Sequence, residues 1–534
     1  MKVDLNFASE ISNSNLFFIF ILVLYVLLGI YLFRYYQYDL ISKDIISFVS
    51  VANLYAYGDL YSALNGYWGP LFSWLLLPFI LLNSSPYFVL YSMKIISLVV
   101  GIFTIYGVRL LSYRFEMEEL TRNSILFAII FMVLYFALRS SPVDLLFVCF
   151  LVYYLYFIFS PRYSFKPYYG VVCGVIGALA YLTKSYAFTF FLAHFILFNI
   201  IHYYSEVKLK KNVLKNLFLG LTVFLIISGT WSLVLSEKYG EVTFGTSGKY
   251  NYYVIGPNST GAHPTEYINQ GFMKPPYEGV TSAWYDPTFF QIESWNPLES
   301  WANLIFQLNK IRDNILGLVG LYSSFSYLSL LIIFAYILFL IRPIKELISR
   351  KDLLFPLLTV LIFPLGYLTI ALEMRYLWII YVLLILMGGY LINLLLKNNI
   401  FNKAQNSILL VIFVVSFLLL PISGLTTNKY DGKDYADLGH IINDELHIKG
   451  NIASNGNADN GNYRRTLHLS YFLGTAYYGF PKNGISDDEL EFELEKYDID
   501  YYFVWGKTDN EALLSKYREV SGGKIQGLRI YSIN

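Results

Sequence analysis

Charge and cysteine are what this sequence has least of. Only 14% of its 534 residues are charged, against roughly 25% in soluble domains. So few charges cannot clothe a water-facing surface of this size. The 56% hydrophobic and 19% aromatic content, with mean hydropathy +0.49, points to a polytopic membrane protein. A net charge of +1 gives no footprint for a polyanion, which excludes nucleic acid as a partner. Cys149 and Cys173 are the only cysteines and both lie in apolar runs, so neither a disulfide framework nor a thiolate metal site is available. His194 sits in mid-helix as a core histidine, while His263, His440, His447 and His468 are scattered through a loop and the tail. None shows zincin spacing, and no zinc site built by the protein is expected. A Walker A loop and a G-x-S-x-G elbow are both missing, so ATPase and serine hydrolase chemistry have no residues to use. Internal repeats and low-complexity tracts are absent as well.

Long apolar runs are abundant. A spanning helix needs about 20 mostly apolar residues, and eleven stretches qualify: 16–33, 86–111, 123–138, 143–160, 168–184, 186–203, 213–235, 315–341, 353–371, 376–396 and 406–424. The first lacks a basic n-region and a small-residue cleavage site, so it reads as a retained helix. The segment 69–83, GPLFSWLLLPFILLN, is short and carries Pro70 and Pro78. Basic residues decide how it lies, because short loops rich in Lys and Arg stay cytoplasmic. With 69–83 lying along the outer surface, the inner loops hold Arg114, Arg122, Arg162, Lys166, Lys208, Lys210, Lys211, Lys215, Arg342, Lys345, Arg350, Lys351, Lys397 and Lys403, and the short outer loops downstream hold only Arg139, Lys184 and Arg375. A spanning 69–83 would invert that imbalance. The expected fold is therefore an all-α polytopic membrane domain over 1–424, with outer juxtamembrane helices and outer loops 34–85 and 236–314. An extracytoplasmic α/β domain follows over 425–534. In that tail, 434–447, 487–497 and 509–519 read as helices, and 500–505 and 525–532 as strands.

The outer side also collects the candidate chemistry. Asp44 opens YDLISKDIISFVSVANLYA, where Ile45, Phe48, Val49, Ala52 and Tyr55 recur at helical spacing, as in an amphipathic helix on the membrane surface. A carboxylate there is equally a helix cap. Asp144 follows Pro142 in a helix-start pattern. Lys184 interrupts an apolar run where one helix turns back into the next, and it could simply snorkel. Glu373 and Arg375 bound another tight outer turn. They can pair with each other, or Arg375 can offer its fork to a phosphate.

An outer Asp, then Ala52, Gly58-Asp59 and Tyr61, then WGPLFSWLLLPF, resembles the opening of the GT-C glycosyltransferases, nearest to the protein O-mannosyltransferase and lipid A aminoarabinose transferase families. SPVDLLF, YLTKSY and EMRYLWIIYVLLI resemble later turns of the same families, in the same order and on the same side. Trp68-Gly69 stands where those families place Lys-Pro, and Ser185 where they place glycine. The resemblance implies transfer of a sugar from a polyprenyl- or dolichyl-phosphate carrier to an extracytoplasmic protein, lipid or glycan, at the plasma membrane of a prokaryote. It implies Asp44 as general base, with Lys184 and Arg375 on the donor phosphate and Asp144 beside it. Glu373, Asp59 and Trp68 complete the expected binding set. A phosphate leaves readily, so one carboxylate suffices where glycosidases need two, while cations steady the departing charge. No cofactor is required, although a divalent cation at the donor phosphate is compatible with Asp144.

Two other readings use the same lipid partners. A flippase for lipid-linked glycans usually shows repeated halves and charges at the midplane, neither of which the sequence has. A polysaccharide polymerase or ligase would present arginines in its outer loops, whereas 236–314 holds only Arg312.

Overall fold

The computed structural model describes residues 3–40, 43–258, 271–290, 292–341, 350–397, 402–456 and 461–533. His263, Arg342 and Lys345 lie outside them. Helices long and apolar enough to cross a bilayer run over Ser14–Tyr36, Pro86–Phe115, Glu119–Arg139, Tyr186–Ser205, Val207–Tyr239, Lys351–Leu368, Met374–Lys397 and Ala404–Thr426. Pro142–Ile158 and Tyr168–Thr183 are apolar but shorter. The stretch read as one span over 315–341 is instead a bent pair, Trp301–Phe325 and Ser329–Leu340, meeting at 107°. Ser326 causes the break. Its backbone is extended (φ −164°, ψ 141°), and its Oγ accepts the N–H of Leu328 at 3.1 Å, which ends one helix and turns the chain into the next. Because the first arm begins at Trp301, capped by Ser300 on the N–H of Asn303, the preceding loop is shorter than the expected 236–314.

The chain forms two compact units. The first comprises Met1–Arg34, Lys94–Val234 and Asn296–Lys429. At its centre the helix Trp378–Lys397 is buried from Trp378 through Tyr390 on every side, as a helix apolar all round must be. Tyr168–Thr183 packs by glycines. A Cβ on Gly170 would fall 2.2 Å from the carbonyl oxygen of Asn216, and one on Gly174 would fall 2.3 Å from that of Gly220. Small residues at this four-residue spacing let membrane helices approach backbone to backbone. Lys184 caps the end of this helix in extended conformation.

The second unit comprises Tyr35–Met93, Leu235–Trp295 and Tyr430–Asn534. Its sheet has the order β2-β1-β3-β5-β4, built from β1 (Asn451–Ser454), β2 (Ala476–Tyr477), β3 (Tyr501–Trp505), β4 (Arg518–Glu519) and β5 (Leu528–Ser532). β1 pairs in parallel with β2 and β3, while β5 pairs antiparallel with β3 and β4. Helix Pro70–Leu82 has 13 residues. At 1.5 Å per residue it is about 20 Å long, too short to cross a hydrocarbon core of about 30 Å. It lies on the Asp44 helix, Lys43–Ala56, through Phe72 against Phe48 and the Ser73 hydroxyl donating to the Phe48 carbonyl at 2.9 Å. That Asp44 helix is not one-sided as its periodicity suggested. It is buried from Asp44 through Ala52, because its polar residues Ser47 and Ser50 bond the segment 281–284 in place of water.

Candidate functional site

In the first unit, the structure brings together Asp144, Lys184, Arg375 and Glu373. Pro142 opens the helix Pro142–Ile158 and places Asp144 in its first turn, 3% exposed. Lys184 Nζ donates to Asp144 Oδ1. Arg375 Nη1 stands 3.9 Å from Asp144 Oδ2, and its Nε donates to Glu373 Oε2 at 2.6 Å. Glu373 also accepts the Tyr376 hydroxyl at 3.2 Å. The face of Tyr376 takes the Lys184 ammonium at 4.2 Å and the Arg375 guanidinium at 5.3 Å. Each cation keeps 24% of its side chain exposed. A buried carboxylate persists only if paired, and here Asp144 stands between two cations, the second of which also pairs with Glu373. Among the described residues Asp144 Oδ2 and the Tyr367 hydroxyl are buried without a hydrogen bond.

An aromatic column runs inward from this cluster. Tyr376 stacks on Tyr367 at 4.9 Å, and Tyr367 stacks on Tyr186 at 4.0 Å. Tyr186 lies so close to Gly366 that a Cβ there would sit 2.6 Å from its ring. The Tyr186 hydroxyl donates to the Phe363 carbonyl.

Asp44 and Trp68 belong to the second unit. Asp44, 8% exposed in the first turn of its helix, accepts Trp284 Nε1–H at 3.3 Å. Trp68 Nε1–H donates to the Tyr285 carbonyl at 2.9 Å, and its ring lies 5.2 Å from that of Phe48. Asn65 fixes this turn: its Oδ1 accepts the N–H groups of Tyr67 and Trp68, and its Nδ2 donates to the Tyr285 carbonyl. Asp59 is an exposed N-cap for Leu60–Ala63, accepting the Ser62 N–H at 3.0 Å. Hydrogen bonds from Ser62 hold its carboxyl below the ordinary value.

Trp284, Tyr376 and Asp286 were not singled out from the sequence. Asp286 is fully buried, with burial pushing its carboxyl up. It accepts the hydroxyls of Tyr239 and Thr288 and the Thr288 N–H. The string Trp284-Tyr285-Asp286-Pro287 in a polar loop was the available signal. His194 is the core histidine expected, with one ring nitrogen on the Tyr154 hydroxyl at 2.8 Å and the other on Thr359 Oγ1 at 2.9 Å. Cys149 and Cys173 are buried free thiols. Among the described residues no group of three His, Cys, Asp or Glu side chains could hold a metal ion.

No family model and no curated protein matches this chain. Among solved structures it is similar to ArnT from Cupriavidus metallidurans bound to undecaprenyl phosphate, at 11% identity, TM-score 0.54, covering 96% of this chain and 98% of that one. It also matches the apo state of that ArnT at 13% identity and TM-score 0.47, covering 96% and 97%. The likeness to the undecaprenyl phosphate complex, over nearly the whole of both chains, shows a GT-C fold of the ArnT kind.

Proposed function

We propose that this protein transfers a sugar from a polyprenyl- or dolichyl-phosphate carrier to a hydroxyl on an acceptor outside the cytoplasm. The observation that carries this reading is the Asp144–Lys184–Arg375 cluster, standing on a GT-C fold shared with a protein solved with undecaprenyl phosphate. Lys184 and Arg375 are assigned to the carrier phosphate, with Glu373 and Asp144 orienting them. The acceptor oxygen attacks the anomeric carbon, the bond from that carbon to the phosphate oxygen breaks, and the carrier phosphate leaves with an added negative charge. Preorganised cations stabilise such developing charge at little reorganisation cost. Asp44 is assigned the hydroxyl proton, with Trp284 Nε1–H on one of its oxygens. A divalent cation arriving with the donor phosphate would find in Asp144 a single carboxylate, already shared with Lys184 and Arg375.

Trp68 is assigned to the acceptor side, and Asp59 to closing the turn that carries it. The bias of basic residues in short loops supports assigning the tail from 425 to the side outside the cytoplasm. Acceptor choice is assigned to that tail and the 236–300 loop. Mass analysis of cell-surface glycans tests the reading. Deleting the gene should remove a sugar that wild-type protein restores and Lys184→Ala protein does not. Unchanged glycans after deletion would overturn it.

A further inference from the structure

The segment Thr281–Asp286 is tied on several sides. The Thr281 carbonyl accepts the Tyr477 N–H at 2.7 Å, and Ser282 forms a parallel bridge to Tyr477, so the segment is fastened to β2, the edge strand of the sheet. The Thr281 N–H meets Ser50 Oγ at 3.3 Å, and the Ser47 hydroxyl donates to the Trp284 carbonyl at 3.1 Å. These two serines lie one helical turn apart on the Asp44 helix. The Tyr285 carbonyl takes two donors, Asn65 Nδ2 and Trp68 Nε1, and the Tyr285 hydroxyl reaches the Ser62 carbonyl. Trp284 itself is 2% exposed, and its indole N–H points at Asp44. A buried indole needs a partner for its one donor, and here the partner is the proposed base.

We propose that Trp284 is a positioning residue for Asp44, held in register by the edge strand β2 and by Ser47. The inference rests on the reading of Asp44 as the base. The indole fixes the direction of one carboxylate oxygen, so that the other faces the incoming hydroxyl. A misplacement near 1 Å can cost on the order of 10²-fold in rate. The tail thereby serves the site through a strap of backbone bonds as well as through any contact with acceptor.

The test is a double-mutant cycle measured as sugar transfer in membranes of a strain lacking the gene, with that membrane's own carrier-linked sugar as the probe. Trp284→Phe keeps the ring and removes the donor. It should lower transfer roughly 10–100-fold in otherwise wild-type protein and cause no further loss in an Asp44→Asn background, because a residue acting through another has nothing left to position. Ser47→Ala, a milder change in case Trp284→Phe fails to insert, should lower transfer by a smaller factor that also vanishes in that background. Equal fold-losses in both backgrounds, or near-normal transfer by Trp284→Phe, would overturn the positioning role while leaving the base intact. Near-normal transfer by Asp44→Asn alone would instead remove the base reading and this inference with it.

Discussion

Removing the Lys184 ammonium strands the buried carboxylate of Asp144, and the structure sets the cost. Asp144 is 3% exposed, so water cannot replace the lost partner. Arg375 remains 3.9 Å from Oδ2, where a unit pair at an effective dielectric near 20 keeps about 4 kcal/mol of gross attraction. Lys184→Ala should therefore cost about 3 kcal/mol, the low end for breaking a buried pair. Asp144→Asn leaves two cations that are each 24% exposed and can turn to water, so its cost should be nearer about 1 kcal/mol. In the double variant no buried charge is stranded. It should be more stable than Lys184→Ala alone, with a coupling of roughly 1–3 kcal/mol. Denaturant titration of the purified protein in mixed micelles measures all four corners of this cycle. Costs that add to within about 0.5 kcal/mol would show that the two residues are not an energetic unit.

Gly174→Val should cost about 1–3 kcal/mol through overpacking, since its Cβ meets the Gly220 carbonyl at 2.3 Å, whereas Gly229→Ala, with nothing within 4 Å, should be neutral or slightly stabilising; folded yield in detergent separates them. His468 is buried with both ring nitrogens unpartnered among the described residues, and burial, aided by Arg464, pushes its imidazole down to about 3. The unfolded chain takes up that proton first, so as pH falls below about 6.5 stability should drop by roughly 1.4 kcal/mol per unit until about 3; His468→Leu should flatten that limb in thermal midpoints measured against pH. A cysteine placed at the exposed Ser84 should be labelled in intact cells by a membrane-impermeant thiol reagent, and protection would reverse the assigned sidedness.

Run length carried most of the helical architecture, because twenty apolar residues have few alternatives in a bilayer. The bend at Ser326 was hidden inside a continuous apolar run, since a single serine side chain made it. The tail's helices Lys433–Leu446 and Asp487–Lys496 and strands β3 and β5 follow their expected ranges. β1 and β2 are too short for an alternation to register. The stretch 509–519 is one helical turn, Glu511–Leu514, followed by β4, because Glu519 pairs with Tyr531 in the sheet. Asp144, Lys184, Glu373 and Arg375 were legible as charges that an apolar region rarely tolerates. Trp284 was not, because its role comes from a contact 240 residues away in sequence.

Asp44 is proposed to take the acceptor proton, and Asp44→Asn tests that role. Asn keeps the size of Asp and an oxygen that can accept the Trp284 N–H, so a residue with a merely structural role in the first turn should tolerate the change. A general base should lose on the order of 10²–10⁴-fold in rate. Transfer from the native carrier-linked sugar should fall by that factor while binding of the carrier phosphate, assigned in the proposal to Lys184 and Arg375, stays unchanged. Near-normal transfer by the Asn variant would show that Asp44 is not the base.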